Sequence, residues 1–363
     1  MTKTPTLAVQ GETFGSRLLT WFAAAGRHDL PWQHNRTMYR VWISEVMLQQ
    51  TQVSTAIPYF ERFMQRFPTL SDLAAAPEDE VLHLWSGLGY YARARNLLKT
   101  ARRVVMDHGG QFPEELDALH ALPGIGRSTA GAILAQALNR RHAILDGNVK
   151  RVLARWGGIE GDPSSSAVSA RLWALSDEIT PDQQAADYTQ AIMDLGATLC
   201  IRRHPACERC PVHRDCVAFR DGRQSELPTP RTKRARPVRV VHWLVFQHGG
   251  SVLLTRRPSS GVWGGLHGFL EASNTEDMQA LARRRTGEPH IQLTPSPPMI
   301  HQFTHFELQI YPWISAGASV VVAAGETWYN LERAPELGIA APVATFVAHL
   351  RGDLARRNDH FGS

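Results

Sequence analysis

The four cysteines of this 363-residue chain lie within seventeen residues of one another. They are Cys200, Cys207, Cys210 and Cys216, in the spacing C-x₆-C-x₂-C-x₅-C. This leaves no thiol for an extended disulfide framework, whereas four thiolates around one point hold a tetrahedral zinc ion or an iron–sulfur cluster. The spacing favours neither over the other and places a disulfide pair third. The simplest alternative is a structural clasp that fixes the end of a domain.

The residues around these cysteines are basic, namely Arg202, Arg203, His204, Arg209, His213 and Arg214. A cationic loop of this kind suits contact with phosphate groups. The whole chain has a net charge of +5, and arginine greatly outnumbers lysine. Arginine binds phosphate oxygens bidentately, but genome base composition explains the skew at least as well. The charge therefore permits nucleic-acid binding without establishing it.

Length and periodicity predict two domains and a linker. Single cores stop growing at about 250–300 residues, so a longer chain is expected to divide. Apolar residues recur at helical spacing from Thr13 to about Phe219, and short β-type runs with one helix follow Arg239. We predict an all-α domain over 1–221, a basic, proline-rich linker or DNA-facing arm over 222–238, and a smaller α+β domain over 239–363.

The sequence also indicates a compartment. No apolar run approaches the ~20 residues that a membrane span needs, and Met1–Gly11 has no signal-peptide core. We expect an intracellular monomer without a membrane partner, cytoplasmic and associated with the nucleoid if its source is bacterial. Thiols stay reduced there and can keep a metal centre.

One acidic residue, Glu45, falls on the apolar stripe of a predicted helix within Tyr39–Gln52. Burying an unpaired carboxylate is costly. Its pKa should therefore rise, which leaves an acid that holds and delivers a proton near neutrality. The alternative is a carboxylate paired with an arginine such as Arg40 or Arg62, and spacing alone slightly favours that pairing.

A glycine turn between two helical segments lies in Leu122–Ile133, which reads LPGIGRSTAGAI. Gly124 and Gly126 let backbone amides approach a ligand closely, and the helix predicted from about Ser128 offers its positive end to an anion. This is the helix–hairpin–helix pattern that grips a DNA phosphate without reading sequence. An isolated G-x-G is a weak signal, but the helices on both sides make it much stronger.

Two further segments have both a functional and a structural interpretation. Asp146 stands in LDGNVKR at the start of a predicted helix, where it is either an N-cap or a fixed anion that stabilises a cationic intermediate. In Trp85–Arg95, tyrosines and arginines lie beside glycines, as in wedges that part a base stack. Ordinary packing is expected for at least one of Tyr90 and Tyr91.

Together these segments resemble the MutY-type adenine DNA glycosylases of the helix–hairpin–helix superfamily. The resemblance runs from Leu30–Trp32 through VWISEVMLQQTQV, GLGYYARARNL, LPGIGRSTAGAI and LDGNVKR to the cysteines, then to WGGLHGF and Phe303–Phe306. It implies an all-α helix–hairpin–helix glycosylase domain with a cluster loop, followed by a smaller α+β Nudix-like domain. It also implies that the four cysteines hold one [4Fe–4S] cluster rather than zinc.

The resemblance implies a monofunctional enzyme of base excision repair, with double-stranded DNA as its partner. It would remove adenine mispaired with 8-oxoguanine or guanine after flipping the base out of the duplex. Glu45 would protonate adenine at N7 and later activate water, while Asp146 would stabilise the oxocarbenium-like sugar and Asn148 would order that site. A sliding clamp or other repair proteins would be further partners.

Other positions match residues that contact the substrate and DNA in this family. Asp194 would reach the adenine side of the pocket. The pocket-lining positions are Leu30, Trp32 and Val53, the residues that probe or wedge at 8-oxoguanine are Gln50, Thr51 and Tyr90, and the lesion-contacting loop holds Thr304 and His305. Gly124, Gly126 and Ser128 would bind DNA at the hairpin.

The chain departs from family patterns at two places. Some relatives carry tyrosine at the position of Ser128, and the lyase-type endonuclease III relatives carry lysine there. Ser128 has no amine to form a Schiff base, so we expect an abasic product rather than a cut strand. The acidic run that holds magnesium in Nudix hydrolases is replaced at Leu281–Arg285 by basic residues, so we expect no pyrophosphatase activity.

Two other functions would use parts of the same sequence. A pyrimidine-lesion glycosylase/lyase of the same superfamily would need the missing lysine at position 128 and would have no use for a lesion-reading domain. A non-catalytic iron–sulfur protein that binds DNA and senses redox state would use the basic loop and the hairpin equally well. It would, however, leave Glu45 and Asp146 without a role.

Overall fold

The structure, a computed structural model, describes residues 13–229, 235–303, 305–332 and 337–361, with side chains as far as residue 352 in the last helix. Thr304 and residues 230–234 of the predicted linker lie outside the described residues. Contacts divide the rest into two units. Residues 13–74 and 99–229 form what we call the helical unit, and residues 75–98 with those described from 235 onward form the sheet unit.

Helices make up the described chain as far as residue 220, which confirms the prediction from periodicity. They are α1 (Phe14–Ala25), α2 (Met38–Leu48), α3 (Val53–Arg66), α4 (Leu70–Ala75), α5 (Glu78–Leu84), α6 (Ala92–His108), α7 (Leu116–His120), α8 (Arg127–Leu138), α9 (Gly147–Trp156), α10 (Ser166–Ile179), α11 (Ala185–Thr198) and α12 (Val217–Arg220). Two 3₁₀ turns, Cys207–Arg209 and His213–Asp215, precede α12. Helix α5 and the first half of α6 belong to the sheet unit.

Helix α8 is central to the helical unit. It contacts α2, α7 and α11, and α11 in turn contacts α9 and α1. Its sequence is apolar almost all round, as expected of a helix enclosed by others. A β-carbon at Gly131 would lie 2.7 Å from the Ala143 carbonyl oxygen, so the glycine allows α8 to approach the segment that leads into α9.

The sheet unit is α+β, as predicted. Its strands are β1 (Val238–His248), β2 (Ser251–Arg256), β3 (His267–Gly268), β4 (Leu270–Ala272), β5 (Thr294–Pro295), β6 (Met299–Gln302), β7 (Glu307–Ala316) and β8 (Glu326–Asn330). Helix α13 (Thr275–Thr286) packs on β1 and β4, and α14 (Ala341–Phe361) ends the described chain.

The sheet follows the order β3-β2-β1-β7-β5. Strands β1 and β7 run parallel, from Val238 opposite Glu307 to Gln247 opposite Ala316, and the other pairings are antiparallel. The turn between β1 and β2 is Gly249–Gly250, both with positive φ, as a two-residue hairpin turn requires.

Residues 75–98 contact the sheet of their own unit. Arg256 at the end of β2 lies 3.2 Å from the Asp79 carboxylate on α5. Arg95 on α6 donates to the Gly264 carbonyl oxygen. Helical periodicity does not reveal which core a helix covers, and the sequence alone did not assign this segment to the sheet. The domain boundaries given above stay a prediction.

Helix α13 ends in a buried ion pair. Nη2 of Arg285 lies 2.6 Å from Oε2 of Glu326, whose side chain is only 4% exposed. The same oxygen accepts the backbone N–H of Ala323 at 2.8 Å. The helix thus presents a cation to the Glu326 carboxylate. Among the described residues, no helix is long and apolar enough to cross a membrane.

We predict that Arg285→Met destabilises the sheet unit by about 3–5 kcal/mol, because it leaves a buried carboxylate without its cation. Urea denaturation followed by far-UV circular dichroism measures the change. Arg284→Met, at an exposed position of the same helix, is the matched control and should change the free energy of unfolding by less than about 0.5 kcal/mol. Equal effects of the two substitutions would contradict a stabilising role for the pair.

Candidate active site and cysteine loop

Glu45 lies on α2, half-buried, with a neutral partner. The Gln136 side chain on α8 donates from Nε2 to Oε1 of Glu45 at 2.9 Å, and Gln136 is itself buried. Arg40 donates instead to the Pro31 carbonyl oxygen, and Arg62 lies over an aromatic ring. Glu45 is therefore bonded to an amide, which leaves it able to take up a proton.

Burial raises the pKa of Glu45 to about 7, and the charge of Asp146 contributes in the same direction. The hydrogen bond from Gln136 acts the other way, because it stabilises the carboxylate. The structure thus brings the two predicted carboxylates close enough to act on each other. Near neutral pH the Glu45 side chain is poised between its protonated and ionised forms.

Asp146 is the N-cap of α9. This role does not conflict with a catalytic one, because the cap holds the carboxylate in a fixed position. Its Oδ1 accepts the backbone N–H of Val149 at 2.7 Å. Burial raises the pKa of Asp146, whereas the N–H groups of Val149 and Asn148 and the nearby charges of Arg151 and Lys150 lower it. A carboxylate supported by two amides and the positive end of a helix is a fixed anion.

Asn148 connects this site to the cysteine loop. Its Oδ1 accepts from Nη2 of Arg151 at 2.8 Å. The same arginine donates to the carbonyl oxygens of Gly196 and Cys200, at 2.6 and 2.7 Å. One guanidinium therefore fixes the orientation of the Asn148 amide relative to the backbone of the first cysteine.

Asp194, which is predicted to lie on the adenine side of the pocket, has hydrogen-bond partners on both carboxylate oxygens. Asp194 on α11 is completely buried and pairs with Arg27, whose Nη2 lies 2.5 Å away, and it also accepts from Gln190 at 2.8 Å. The backbone N–H of Arg27 bonds the other carboxylate oxygen at 2.8 Å. These bonds fix the chain just before Leu30 and Trp32, both buried.

The hairpin has the geometry that its glycines predict. Gly124 has φ of +77°. Gly126 is the N-cap of α8, and a β-carbon there would meet nothing within 4 Å. The first turn of α8 is thus sterically open for an approaching anion. Ser128 points inward instead, and its Oγ accepts the backbone N–H of Leu145 at 2.9 Å.

After α2, the chain turns through a conformation that is rare for side-chain-bearing residues. Gln50 is exposed with φ of +59°. Thr51 follows it, half-buried, and Val53 begins α3. Non-glycine residues in the left-handed region cost free energy and are concentrated at functional sites. The geometry at Gln50 is in keeping with its predicted contact to DNA.

Tyr90, in the sheet unit, has the same backbone feature. Its φ is +49° and its side chain is 46% exposed. Arg93 donates to the carbonyl oxygens of Leu88 and Gly89 at 3.1 Å, and its guanidinium lies 5.2 Å from the centre of the Trp85 ring. This buried arginine holds the loop in shape while Tyr90 points outward. Its neighbour in sequence, Tyr91, is packed in the interior.

The predicted lesion-contacting loop begins and ends in stacked aromatic rings. The Phe303 and Phe306 rings stack with centroids 4.4 Å apart, and the Trp263 ring lies 5.0 Å from Phe303. The Arg239 guanidinium lies 4.3 Å from the centre of the Phe306 ring. His305 is exposed between these anchors. Thr304, predicted beside it, is outside the described residues.

The four cysteines lie in one loop and are half-buried. Cys200 and Cys210 pack against the apolar core of the helical unit. Burial chiefly, followed by the other cysteines, raises the pKa of Cys210 to about 12, so the thiols are near one another. In the part of the chain that is described, no three His, Cys, Asp or Glu side chains are gathered around a single metal position. The donor chemistry, four thiols on one loop, fits an iron–sulfur centre.

Three functional side chains were missed from the sequence. They are Gln136, Arg151 and Arg155. Arg155 is buried and donates to the carbonyl oxygens of Ile201, Arg202 and Leu227, and its Nη1 lies 3.5 Å from Sγ of Cys200. Two signals were available: a glutamine inside the apolar run of α8, and arginines spaced i, i+4 on an amphipathic helix. Both imply polar side chains turned inward.

Protein-family comparisons cover both halves of the chain. A family model described as "HhH-GPD superfamily base excision DNA repair protein" matches residues 43–178, and a model described as "NUDIX domain" matches residues 241–349. Among solved structures, that of a thermostable thymine-DNA glycosylase is similar, with a TM-score of 0.52 and 29% identity. It covers 57% of this chain and 95% of that one.

Similar curated proteins extend over nearly the whole chain. The adenine DNA glycosylase of Buchnera aphidicola subsp. Acyrthosiphon pisum is 36% identical over 348 residues, which cover 94% of this chain and 98% of that protein. The adenine DNA glycosylase of Mus musculus is 39% identical over 360 residues, which cover 82% and 70% of the two chains. This chain therefore belongs to the adenine DNA glycosylase family, within the HhH-GPD superfamily of base excision DNA repair proteins.

Proposed function

We propose that this protein is a monofunctional glycosylase that releases adenine from a mispair with 8-oxoguanine or guanine in duplex DNA. The main support for the proposal is a pair of carboxyl groups in the helical unit, Glu45 and Asp146, whose environments differ. Glu45 holds a proton near neutral pH, and Asp146 is a fixed anion at a helix start. The full-length similarity to adenine DNA glycosylases supports adenine as the base.

The carboxyl pair divides the chemistry between two roles. Glu45 would donate its proton to N7 of the flipped adenine, so that the bond between N9 and C1′ breaks with its electron pair on the base. The sugar becomes an oxocarbenium-like cation, which the Asp146 carboxylate stabilises. Glu45, now ionised, would take a proton from a water as that water adds to C1′. The products are free adenine and an abasic site.

The remaining residues would bind DNA and position the mispair. The hairpin at Gly124–Gly126 and the basic residues of the cysteine loop would contact the DNA backbone. Gln50, Thr51 and Tyr90 would probe or wedge beside the opposite base, and Thr304 and His305 would contact 8-oxoguanine. A clamp protein as a further partner stays a prediction from the resemblance.

Cys200, Cys207, Cys210 and Cys216 would hold one [4Fe–4S] cluster. Four thiolates bound to one cluster cross-link the loop at four points and shape its basic surface. Arg155 and Arg151, which bond to the backbone of this loop, would hold it against α9. Ser128 offers no amine to the sugar, which supports an abasic product.

A single-turnover assay on duplex DNA with one A opposite 8-oxoguanine tests the proposal. Each time point is divided and analysed with and without hot alkali, and an A·T duplex is the control. We expect strand cleavage only after alkali and only at the mispair. Cleavage without alkali would indicate a lyase instead. Tight binding without excision would make this a lesion-binding protein.

We predict that Glu45→Gln strongly slows base release while preserving DNA binding. The amide fills the same space but supplies no proton, so the single-turnover rate should fall by ~10²–10⁴-fold. Gel-shift titration with the mispaired duplex should give the affinity of the wild type. Excision at the wild-type rate would show that another group protonates adenine.

The pH dependence of the rate should report on Glu45. The acid must be protonated to act, so the rate should fall as pH rises through about 7. The hydrogen bond from Gln136 lowers the pKa of Glu45, so Gln136→Met should move this fall to higher pH. Gln111→Ala, at an exposed position, is the control and should leave the profile unchanged. A shift to lower pH in Gln136→Met would contradict the assignment.

Iron analysis tests the cofactor separately from the activity. We expect about four iron atoms per chain and a brown colour in protein purified without oxygen. Cys210→Ser should lower the iron content and the yield of folded protein. Stoichiometric zinc in colourless protein would assign the loop to a zinc site instead.

A further inference from the structure

The two residues that precede Asp146 are held by serine hydroxyls from two different helices. Oγ of Ser128, in the first turn of α8, accepts the backbone N–H of Leu145 at 2.9 Å. Oγ of Ser176, in the last turns of α10, donates to the carbonyl oxygen of Ile144 at 2.7 Å. The peptide group between Ile144 and Leu145 is therefore hydrogen-bonded at both its N–H and its carbonyl oxygen.

Close packing also restricts movement of the Ile144–Leu145 segment. The side chains of Ile144 and Leu145 are buried at 3% and 4% exposure. The backbone of α8 at Gly131 approaches the preceding residue so closely that a β-carbon would lie 2.7 Å from the Ala143 carbonyl oxygen. A segment enclosed in this way has no room to shift while both hydroxyls are in place.

Asp146 depends on this segment for its position. Its backbone is extended, with φ of −79° and ψ of −176°, and its carboxylate bonds the N–H of Val149 within the first turn of α9. A rotation of the peptide before Asp146 would carry its carboxylate away from that N–H. The same rotation would alter its distance from Glu45.

We propose that Ser128 and Ser176 are positioning residues for Asp146. They do not touch the substrate in this proposal, and they act by fixing the Ile144–Leu145 peptide from two sides. The proposal rests on the function proposed above and extends it to these two hydroxyls. It also gives Ser128 a role that differs from direct contact with DNA or sugar.

Ser128 and Ser176 make separable contributions, because each hydroxyl bonds a different group of the same segment. One remaining hydroxyl should still hold the segment, whereas loss of both should release it. We therefore expect synergy between the two substitutions, with a double variant that is slower than the product of the single effects.

The test is a double-mutant cycle with Ser128→Ala, Ser176→Ala and the double variant, in single-turnover excision of A opposite 8-oxoguanine. We expect losses of less than about threefold for each single variant and about 10²-fold for the double variant, the order expected for a misplaced catalytic group. DNA affinity should stay within about twofold of wild type, which separates positioning from binding. Ser166→Ala, at an exposed position on α10, is the control.

A purely structural role would lower thermal stability without changing the acid limb of the pH–rate profile. Positioning predicts that this limb, set by ionisation of Asp146, moves to higher pH as the carboxylate loses the Val149 N–H. The other groups that act on Asp146, namely Glu45, Lys150 and Arg151, are unchanged in these variants. Ser128→Thr, in a chain that keeps Ser176, retains a hydroxyl at position 128. It should therefore show the wild-type pH–rate profile.

A folded double variant with the wild-type rate and acid limb would overturn the proposal. So would a rate loss that follows DNA affinity alone. If Ser176→Ala fails to fold, the acid limb of Ser128→Ala decides the question. We expect a small shift to higher pH that Ser128→Thr reverses, and an unshifted limb would overturn the proposal. Failure of the wild-type protein to release adenine would reject the proposed function instead, so the two failures are distinguishable.

Discussion

The proposed active site of the helical unit depends on the burial of one helix, α8. Helix α8 packs between α2, α7 and α11, and two polar side chains on it, Gln136 and Ser128, are each bonded to a specific partner. Gln136 bonds Glu45, and Ser128 bonds the peptide before Asp146. The N-terminus of the same helix is the open end of the hairpin. The element suited to gripping DNA is therefore the one that fixes both carboxylates.

Helix α9 extends this arrangement to the cysteine loop. Asp146 caps its start, Arg151 bonds Asn148 and the Cys200 backbone, and Arg155 bonds the loop one turn later. A guanidinium group has five donors. Arg151 and Arg155 use theirs mainly on backbone carbonyl oxygens in and beside the cysteine loop. The loop is thus attached to the helix that carries the proposed catalytic anion, Asp146.

The sequence predicted the helical and α+β organisation because periodicity records which face of an element is buried. It also made Glu45 a candidate, since an acid on an apolar stripe must acquire a partner or a raised pKa, although spacing slightly favoured an arginine as that partner. It could not identify that partner, because Gln136 lies ninety-one residues further along the chain and only tertiary packing joins them. The sequence did not predict that residues 75–98 belong to the sheet unit, because that too depends on tertiary packing. The positive φ angles of Gln50 and Tyr90 could not be predicted from the sequence. Glycine and asparagine favour this conformation, and neither residue is one of them.

The ion pair at the end of α13 bears on how the sheet unit can evolve. Arg285 occupies the helix turn where the resemblance to Nudix hydrolases would place metal-binding acids, and its charge is opposed by Glu326. An acid introduced at position 285 alone would face Glu326 as a like charge in a buried site. An acidic residue at position 285 would therefore be accommodated only together with a change at Glu326. Two positions that are forty-one residues apart in sequence are thus constrained to change as a pair.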